Sequence, residues 1–149
     1  MYVDYDEHRL EVGYDLDGVI VSEKWPKIDF YVYTKAPWLW VRFKMISKCI
    51  FSPKGKFVII TGRPAVDKEW TEKWLKKNGV YPFDIYYAKH PRYGIPHKIE
   101  TINKLGLTTF YESDLNQAVK IKEGCPNCMV IHVSSRVGLR GRTTILNKV

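Results

Sequence analysis

Tyr14-Asp15-Leu16-Asp17-Gly18-Val19-Ile20 decides the reading of this chain. It sets two carboxylates two residues apart at the end of an apolar, strand-like run, with a glycine directly after. Side chains i and i+2 of a strand point the same way. Where the chain leaves the strand, both acids are therefore expected to face one small volume at the sheet edge. Two acids held that close repel, so such a site calls for a cation or a shared proton. Magnesium suits it, because Mg²⁺ takes oxygen ligands and often only one or two protein carboxylates plus phosphate.

Working outward, strands are expected at 11–16, 57–61, 84–88, 108–112 and 129–133, each a short run rich in β-branched or aromatic residues. Helical patterns lie between them. Pro37 stands at a first helical position, and Leu39, Phe43, Ile46 and Ile50 then share one face, which predicts a helix over 37–50. A second helix opens at Pro64, with Val66, Trp70 and Trp74 as its stripe and Gly79 at its C-terminal cap. A third is expected over about 96–105 and a fourth over about 114–123. Strand-helix alternation implies an α/β fold, a Rossmann-like parallel sheet with helices on both faces. Ligands in such folds bind outside the carboxyl ends of the strands, where Asp17, Thr61 and Asp114 all fall.

The 149 residues are expected to form a single domain over 1–149, with a flap at about 19–36 and a basic tail at about 134–149. A 45% hydrophobic and 27% charged composition is that of a soluble globular protein. The first residues lack the basic start and apolar stretch of a signal peptide, and no run is long enough to span a bilayer, so the expected setting is cytoplasmic. Three cysteines do not suggest a disulfide framework. The formal charge of +8 favours anionic partners such as nucleotides, nucleic-acid ends or other phosphorylated molecules. Arg136, Arg140 and Arg142 make the densest basic stretch, either a phosphate-contacting tail or a solvated end.

Asp15-Leu16-Asp17-Gly18 after one strand, Ile59-Ile60-Thr61-Gly62-Arg63-Pro64 after the next, a lysine before the third helix and an acidic cluster after the fourth strand follow the order of a known family. Over roughly residues 11 to 133 the chain resembles the haloacid dehalogenase-like phosphohydrolases. The resemblance implies that Asp15 is a nucleophile that attacks phosphorus to form an aspartyl-phosphate. It implies that Asp17 is general acid for the leaving oxygen and then base for water. Thr61 would bind a phosphoryl oxygen through its hydroxyl beside Gly62. Gly18 and Arg63 are further candidates on the phosphate side, and Arg63 reads equally well as a surface residue. A lysine would neutralise the phosphoryl charge and the nucleophile: Lys98, which opens the helix before the fourth strand, or Lys89, at the end of the third. Mg²⁺ would bridge Asp15, the carbonyl of Asp17 and a carboxylate of the fourth motif.

That fourth motif reads Tyr111-Glu112-Ser113-Asp114-Leu115-Asn116-Gln117-Ala118. The family often has two adjacent acids here, and Ser113 stands where the first is common. Metal ligation then falls to Asp114, to Glu112, or to one of them through water. Asp114 is equally well placed as a helix N-cap. His90, His97 and His132 have no ligand spacing and read as structural. Cys125-Pro126-Asn127-Cys128 has the spacing of a zinc or redox pair, but no second pair completes a zinc site, and a turn with ordinary thiols is the simpler reading.

Family members often carry a cap domain after the first motif or between the second and third. Neither interval has room for one here, so the resemblance is to a minimal, capless type whose open site admits large substrates or gains a lid from another subunit. Trp25, Phe30, Tyr31, Tyr33, Trp38 and Trp40 would stack a base, fill the core or form a subunit interface. The expected function is hydrolysis of a phosphomonoester, a nucleotide or other small molecule. The alternatives are a phosphatase on polynucleotide ends or phosphoproteins, and a catalytically weak binding protein that keeps the fold.

Overall fold

Alternation along one central strand explains the layering. Val58 and Ile60 belong to one buried cluster and Ile59, between them, to another. A strand buried on both faces must be apolar at every position, as Phe57-Val58-Ile59-Ile60 is. The computed structural model describes residues 10–23 and 45–134 and the backbone of 143–145. Its strands are β1 (Val12–Tyr14), β2 (Val58–Pro64), β3 (Asp84–Ala88), β4 (Thr109–Glu112), β5 (Met129–Val133) and β6 (Thr143–Ile145). Its α-helices are α1 (Lys68–Lys77), α2 (Gly94–Leu105) and α3 (Leu115–Gly124).

The sheet order is β3-β2-β1-β4-β5-β6. β1 to β5 run parallel, and β6 is antiparallel to β5. Trp74 and Leu75 of α1 pack on the face of Tyr14, Ile59 and Val133. Ile102 of α2 and Ala118 and Ile121 of α3 pack on the face of Val58, Phe110 and Val130. The result is an α/β fold of Rossmann-like layout with helices on both faces. The chain runs outward from β1 to β3, then returns to β4 on the other side of β1. The carboxyl ends of β1 and β4 therefore flank the switch point at which such sheets open a crevice.

Some elements differ from expectation. The predicted helix over 37–50 lies outside the described residues up to 44. Residues 45–50 form a turn and an isolated bridge of Cys49 to Val21, with Ile46 exposed. Trp74 donates its indole N–H to Ser47 O at 3.0 Å, so this segment is fastened as a loop against α1. The flap expected from 19 begins instead as core. Val19, Ile20 and Val21 are fully buried, and residues 24–36 lie outside the described residues, as do Trp38 and Trp40.

The helix expected at Pro64 begins four residues later, because β2 runs on through a register shift to Pro64 and a 3-10 turn (Ala65–Asp67) follows. The later start rotates the buried stripe to Thr71, Trp74 and Leu75 and leaves Val66 exposed. Burying a side chain such as Leu75 is worth roughly 1.5–3 kcal/mol, which sets that phase. The helix ends as expected at Gly79 (φ +70°), with Val80 N–H donating to Leu75 O at 2.9 Å and Gly79 N–H to Lys76 O at 3.2 Å. The segment expected as a tail supplies β6 at the sheet edge. Its three residues are too few to show an alternating pattern.

Candidate active site at the carboxyl end of the sheet

Asp15 N–H donates to Tyr111 O at 2.9 Å, which prolongs the β1–β4 pairing by one residue and pins Asp15 at the switch point. The chain then coils tightly. Leu16 O accepts from Ile20 N–H at 2.9 Å and Val21 N–H at 3.0 Å, and Gly18 N–H donates to Val21 O at 2.7 Å. Gly18 takes φ +89°, and a Cβ there would lie 2.6 Å from the Ser113 Cβ. Glycine is required on both counts. The coil also turns the Asp17 carbonyl toward Ser113, whose hydroxyl donates to it at 2.9 Å.

β1 ends at Tyr14, so Asp15 and Asp17 lie just beyond the strand, yet they remain neighbours, and the Asp17 charge adds to the upward push on the Asp15 carboxyl. Each carboxylate finds its own cation. Lys98, on the first turns of α2, is almost fully buried and donates to Asp15 Oδ1 at 3.1 Å, Glu112 Oε1 at 2.7 Å and Gln117 Oε1 at 3.1 Å. All three donors of the ammonium are thereby used. Burial alone would push the Lys98 ammonium down, but Asp15 and Glu112 override it and hold it above the ordinary lysine value. Burial, then the neighbouring Glu112, holds the Asp15 carboxyl well above the usual range against the pull of Lys98. Lys89 is exposed at the end of β3 and has no part in this cluster.

Arg63 takes the other acid. Its Nε–H donates to Asp17 Oδ2 at 2.9 Å and its Nη2–H to Asp17 Oδ1 at 2.7 Å, while Nη1–H donates to Thr71 Oγ1 at 3.0 Å. Thr61, buried in β2 just before its register shift, accepts the Arg63 backbone N–H on its hydroxyl at 3.1 Å. Gly62 lies between them with nothing within 4 Å of where a Cβ would stand, so its backbone borders open space.

The fourth motif divides its labour. Glu112 is buried, and its Oε2 accepts the N–H groups of Ser113 at 2.9 Å and Asp114 at 3.1 Å while Oε1 holds Lys98. Asp114 is exposed and its Oδ1 caps α3 through Gln117 N–H at 2.9 Å. The structure thus joins Glu112 to Asp15 through Lys98 and leaves Asp114 at the helix end. Among the described residues no group of three or more His, Cys, Asp or Glu side chains is arranged to hold a metal ion.

Three oxygens of mixed type do converge. The Ser113 hydroxyl is 2.9 Å from the Asp17 carbonyl oxygen and 3.5 Å from Asp15 Oδ2. Neighbouring oxygens around an octahedral ion with bonds of about 2.0–2.1 Å lie about 3 Å apart. The buried cluster also carries two carboxylates against one ammonium. One carboxylate oxygen, one carbonyl and one hydroxyl are donors of the hard kind that Mg²⁺ takes.

Three residues of this neighbourhood were not marked as site residues by the sequence: Gln117, Thr71 and His132, whose Nε2–H donates to Ser113 O at 3.1 Å. An Asp-x-x-Gln spacing at a helix start was the available signal for Gln117. His97 bonds Tyr86 O at 3.1 Å, away from Asp15. Cys125 and Cys128 are buried free thiols in the turn after α3. No helix among the described residues is long and apolar enough to cross a membrane. Searches of protein-family models, of curated proteins and of solved structures find no match to this chain.

Proposed function

We propose that this protein is a Mg²⁺-dependent phosphomonoester hydrolase of the haloacid dehalogenase-like kind, acting through an aspartyl-phosphate on Asp15. The observation that carries the reading is Lys98, which crosses from α2 to bond Asp15 and Glu112 at the switch point of the sheet. A buried carboxylate held by a buried ammonium, beside a hydroxyl and open backbone at Thr61 and Gly62, is what phosphoryl transfer requires: a positioned nucleophile and neutralised charge.

In this reading the Asp15 carboxylate attacks phosphorus, and the bond to the leaving oxygen breaks as Asp17 gives that oxygen a proton. Lys98 offsets charge on the equatorial oxygens while its other two bonds keep it in place. The Thr61 hydroxyl and the Gly62 N–H steady the phosphoryl group. Water then attacks the aspartyl-phosphate, losing its proton to Asp17, and Asp15 is regenerated. Arg63 holds the Asp17 carboxylate by two parallel bonds, and one of them must give way for the proton-donating step. Mg²⁺, held by Asp15, the Asp17 carbonyl and Ser113, would supply charge neutralisation at the transferred phosphoryl. A cytoplasmic setting accords with three free thiols.

Ser113 favours a second reading, a binding protein of low turnover, because a hydroxyl stands where the family often has an acid. Phosphate release from nucleotides, sugar phosphates, an aryl phosphate and a 3′-phosphorylated oligonucleotide separates the two. Metal-dependent turnover that chelator and Asp15→Asn both abolish supports the hydrolase. Absence of turnover from folded protein in ample Mg²⁺ supports the binding protein.

A further inference from the structure

The turn that follows β3 stands beside the phosphoryl end of this site. β3 pairs with β2 up to Pro64, so residues 89–93 leave the sheet at the edge where Thr61, Gly62 and Arg63 lie. The two segments meet directly, since a Cβ on Gly94 would lie 3.8 Å from the Gly62 Cα. Lys89, His90, Arg92 and Tyr93 are all exposed, Tyr93 by 53%. No acidic residue occurs between Asp84 and Glu100.

The cluster is ordered by its own bonds. His90 Nδ1 accepts the Arg92 backbone N–H at 3.2 Å and Nε–H at 3.4 Å, and Tyr93 N–H donates to His90 O at 3.0 Å. The His90 ring meets the Tyr93 ring edge-on at 6.2 Å, and the Arg92 guanidinium lies 5.6 Å from the Tyr93 ring centre. An exposed aromatic ring steadied by a cation and an imidazole, with a further lysine beside it, combines a stacking surface with anion attraction. Those are the two parts of a surface for nucleobase-bearing phosphates, because every base offers a π-face and every nucleotide a negative charge. A phosphoserine or a sugar phosphate would use the charge and leave the ring idle.

We infer that Lys89, His90, Arg92 and Tyr93 form a subsite for the nucleobase and flanking phosphate of the substrate, so that the phosphoryl group removed is that of a nucleotide or a single-stranded nucleic-acid end. This rests on the hydrolase reading for its consequence in catalysis, but the subsite binds whether or not the phosphate is cleaved.

The test is therefore a binding measurement on Asp15→Asn protein. Fluorescence anisotropy would follow a 3′-phosphorylated oligothymidylate and an abasic oligonucleotide of the same length with the same phosphate. Thymidine 3′-monophosphate and a phosphoserine peptide would serve as competitors. Tyr93→Ala is expected to weaken oligothymidylate binding about tenfold or more while leaving the abasic strand unchanged, and Tyr93→Phe to restore it. The double variant Lys89→Ala, Arg92→Ala is expected to lower the salt slope for the oligonucleotide, by about 0.7 for each phosphate that is no longer neutralised.

A steep salt slope with the oligonucleotide over the mononucleotide assigns the subsite to nucleic-acid ends, and equal affinities assign it to nucleotides. Equal weakening on the abasic strand, no weakening on Tyr93→Ala, or a phosphoserine peptide that competes best would overturn the inference. Phosphate release by the wild type from thymidine 3′-monophosphate and the 3′-phosphorylated oligothymidylate, with ample Mg²⁺, reads the hydrolase separately. Its absence alongside Tyr93-dependent binding would remove the hydrolase and keep the subsite.

Discussion

Arg63 grips Asp17 with two parallel bonds, of 2.9 and 2.7 Å, from a side chain that is itself only 4% exposed. The pair is joined across 46 residues of sequence and braced by Thr71. The Arg that the sequence places on the phosphate side also sets the direction of the Asp17 carboxylate. Arg63→Lys keeps the charge but loses the fork, since an ammonium cannot make two parallel bonds to one carboxylate. It is expected to lower phosphate release about tenfold with little loss of stability. Arg63→Met strips the Asp17 carboxylate of its guanidinium and is expected to cost about 2–4 kcal/mol in urea unfolding. Equal activity in wild type and Arg63→Lys would show that the fork has no part in turnover.

Lys98 is the countercharge of two buried carboxylates, so its removal is expected to be among the costliest substitutions in the described residues. Lys98→Met should destabilise by about 3–5 kcal/mol, because Asp15 and Glu112 are then left facing each other out of water. Glu112→Gln should cost less, because the amide keeps an acceptor for Lys98. Adding Glu112→Leu to Lys98→Met should recover part of the loss. Losses that simply add in the four-variant thermodynamic cycle would contradict the coupling.

The parallel sheet was legible because it is written locally. Strands 84–88 and 129–133 coincide with runs of apolar, β-branched or aromatic residues, and Asp15 and Thr61 mark strand ends that can be read within a few residues. Of their partners, Lys98 was legible through the order of the family motifs, while Arg63 as the partner of Asp17 was not. Asp15 and Asp17 read as a pair from their spacing, yet β1 stops at Tyr14 and the coil through Gly18 sends the carboxylates to cations 83 and 46 residues away. Helix phase was lost in the same way. Pro64 looks like a helix start, but pairing with Ala88 keeps it in β2 and moves the buried face from Val66 to Thr71. Local chemistry predicts which atoms gather at a sheet edge; tertiary direction decides which of them touch.

The Ser113 hydroxyl lies between the Asp17 carbonyl and Asp15 Oδ2, so it is the place to add metal affinity. Ser113→Asp would turn a one-carboxylate donor set into a two-carboxylate set. Mg²⁺ binding followed by titration calorimetry is expected to tighten about tenfold or more, since a second anionic oxygen suits a hard cation. Without metal the same variant should be less stable than wild type, because a third carboxylate joins Asp15 and Glu112. Metal should then raise its melting temperature more than that of wild type. Gly18→Ala is the companion control. Its positive φ and the approach of Ser113 predict a loss of about 1–3 kcal/mol whatever the metal concentration. A Ser113→Asp protein with unchanged Mg²⁺ affinity would count against this donor set.

The thiols of the turn after α3 carry a pH signature that can be read without any substrate. Burial, then the neighbouring Cys125, pushes the Cys128 thiol up to about 12 from an ordinary value of 9.0, and burial pushes Cys125 up as well. Lys122 ties the turn shut by donating to Pro126 O at 2.8 Å and Cys128 O at 3.0 Å. A thiol whose value is raised in the folded state holds its proton better there than in the unfolded chain. Its contribution to stability is complete below about pH 9 and is lost as pH rises toward about 12. Tyr14, raised to about 12 by burial and by Tyr111, adds to the same fall from about pH 10 upward. The urea midpoint is therefore expected to be level from about pH 7 to 8 and to decline above about pH 9, and Cys128→Ala should make that decline shallower. At about pH 8 iodoacetamide should label half-buried Cys49 well before Cys125 and Cys128, which should react only at the rate of unfolding. Labelling of Cys125 and Cys128 as fast as a free thiol would show that the turn opens without unfolding and would remove the basis for the pH prediction.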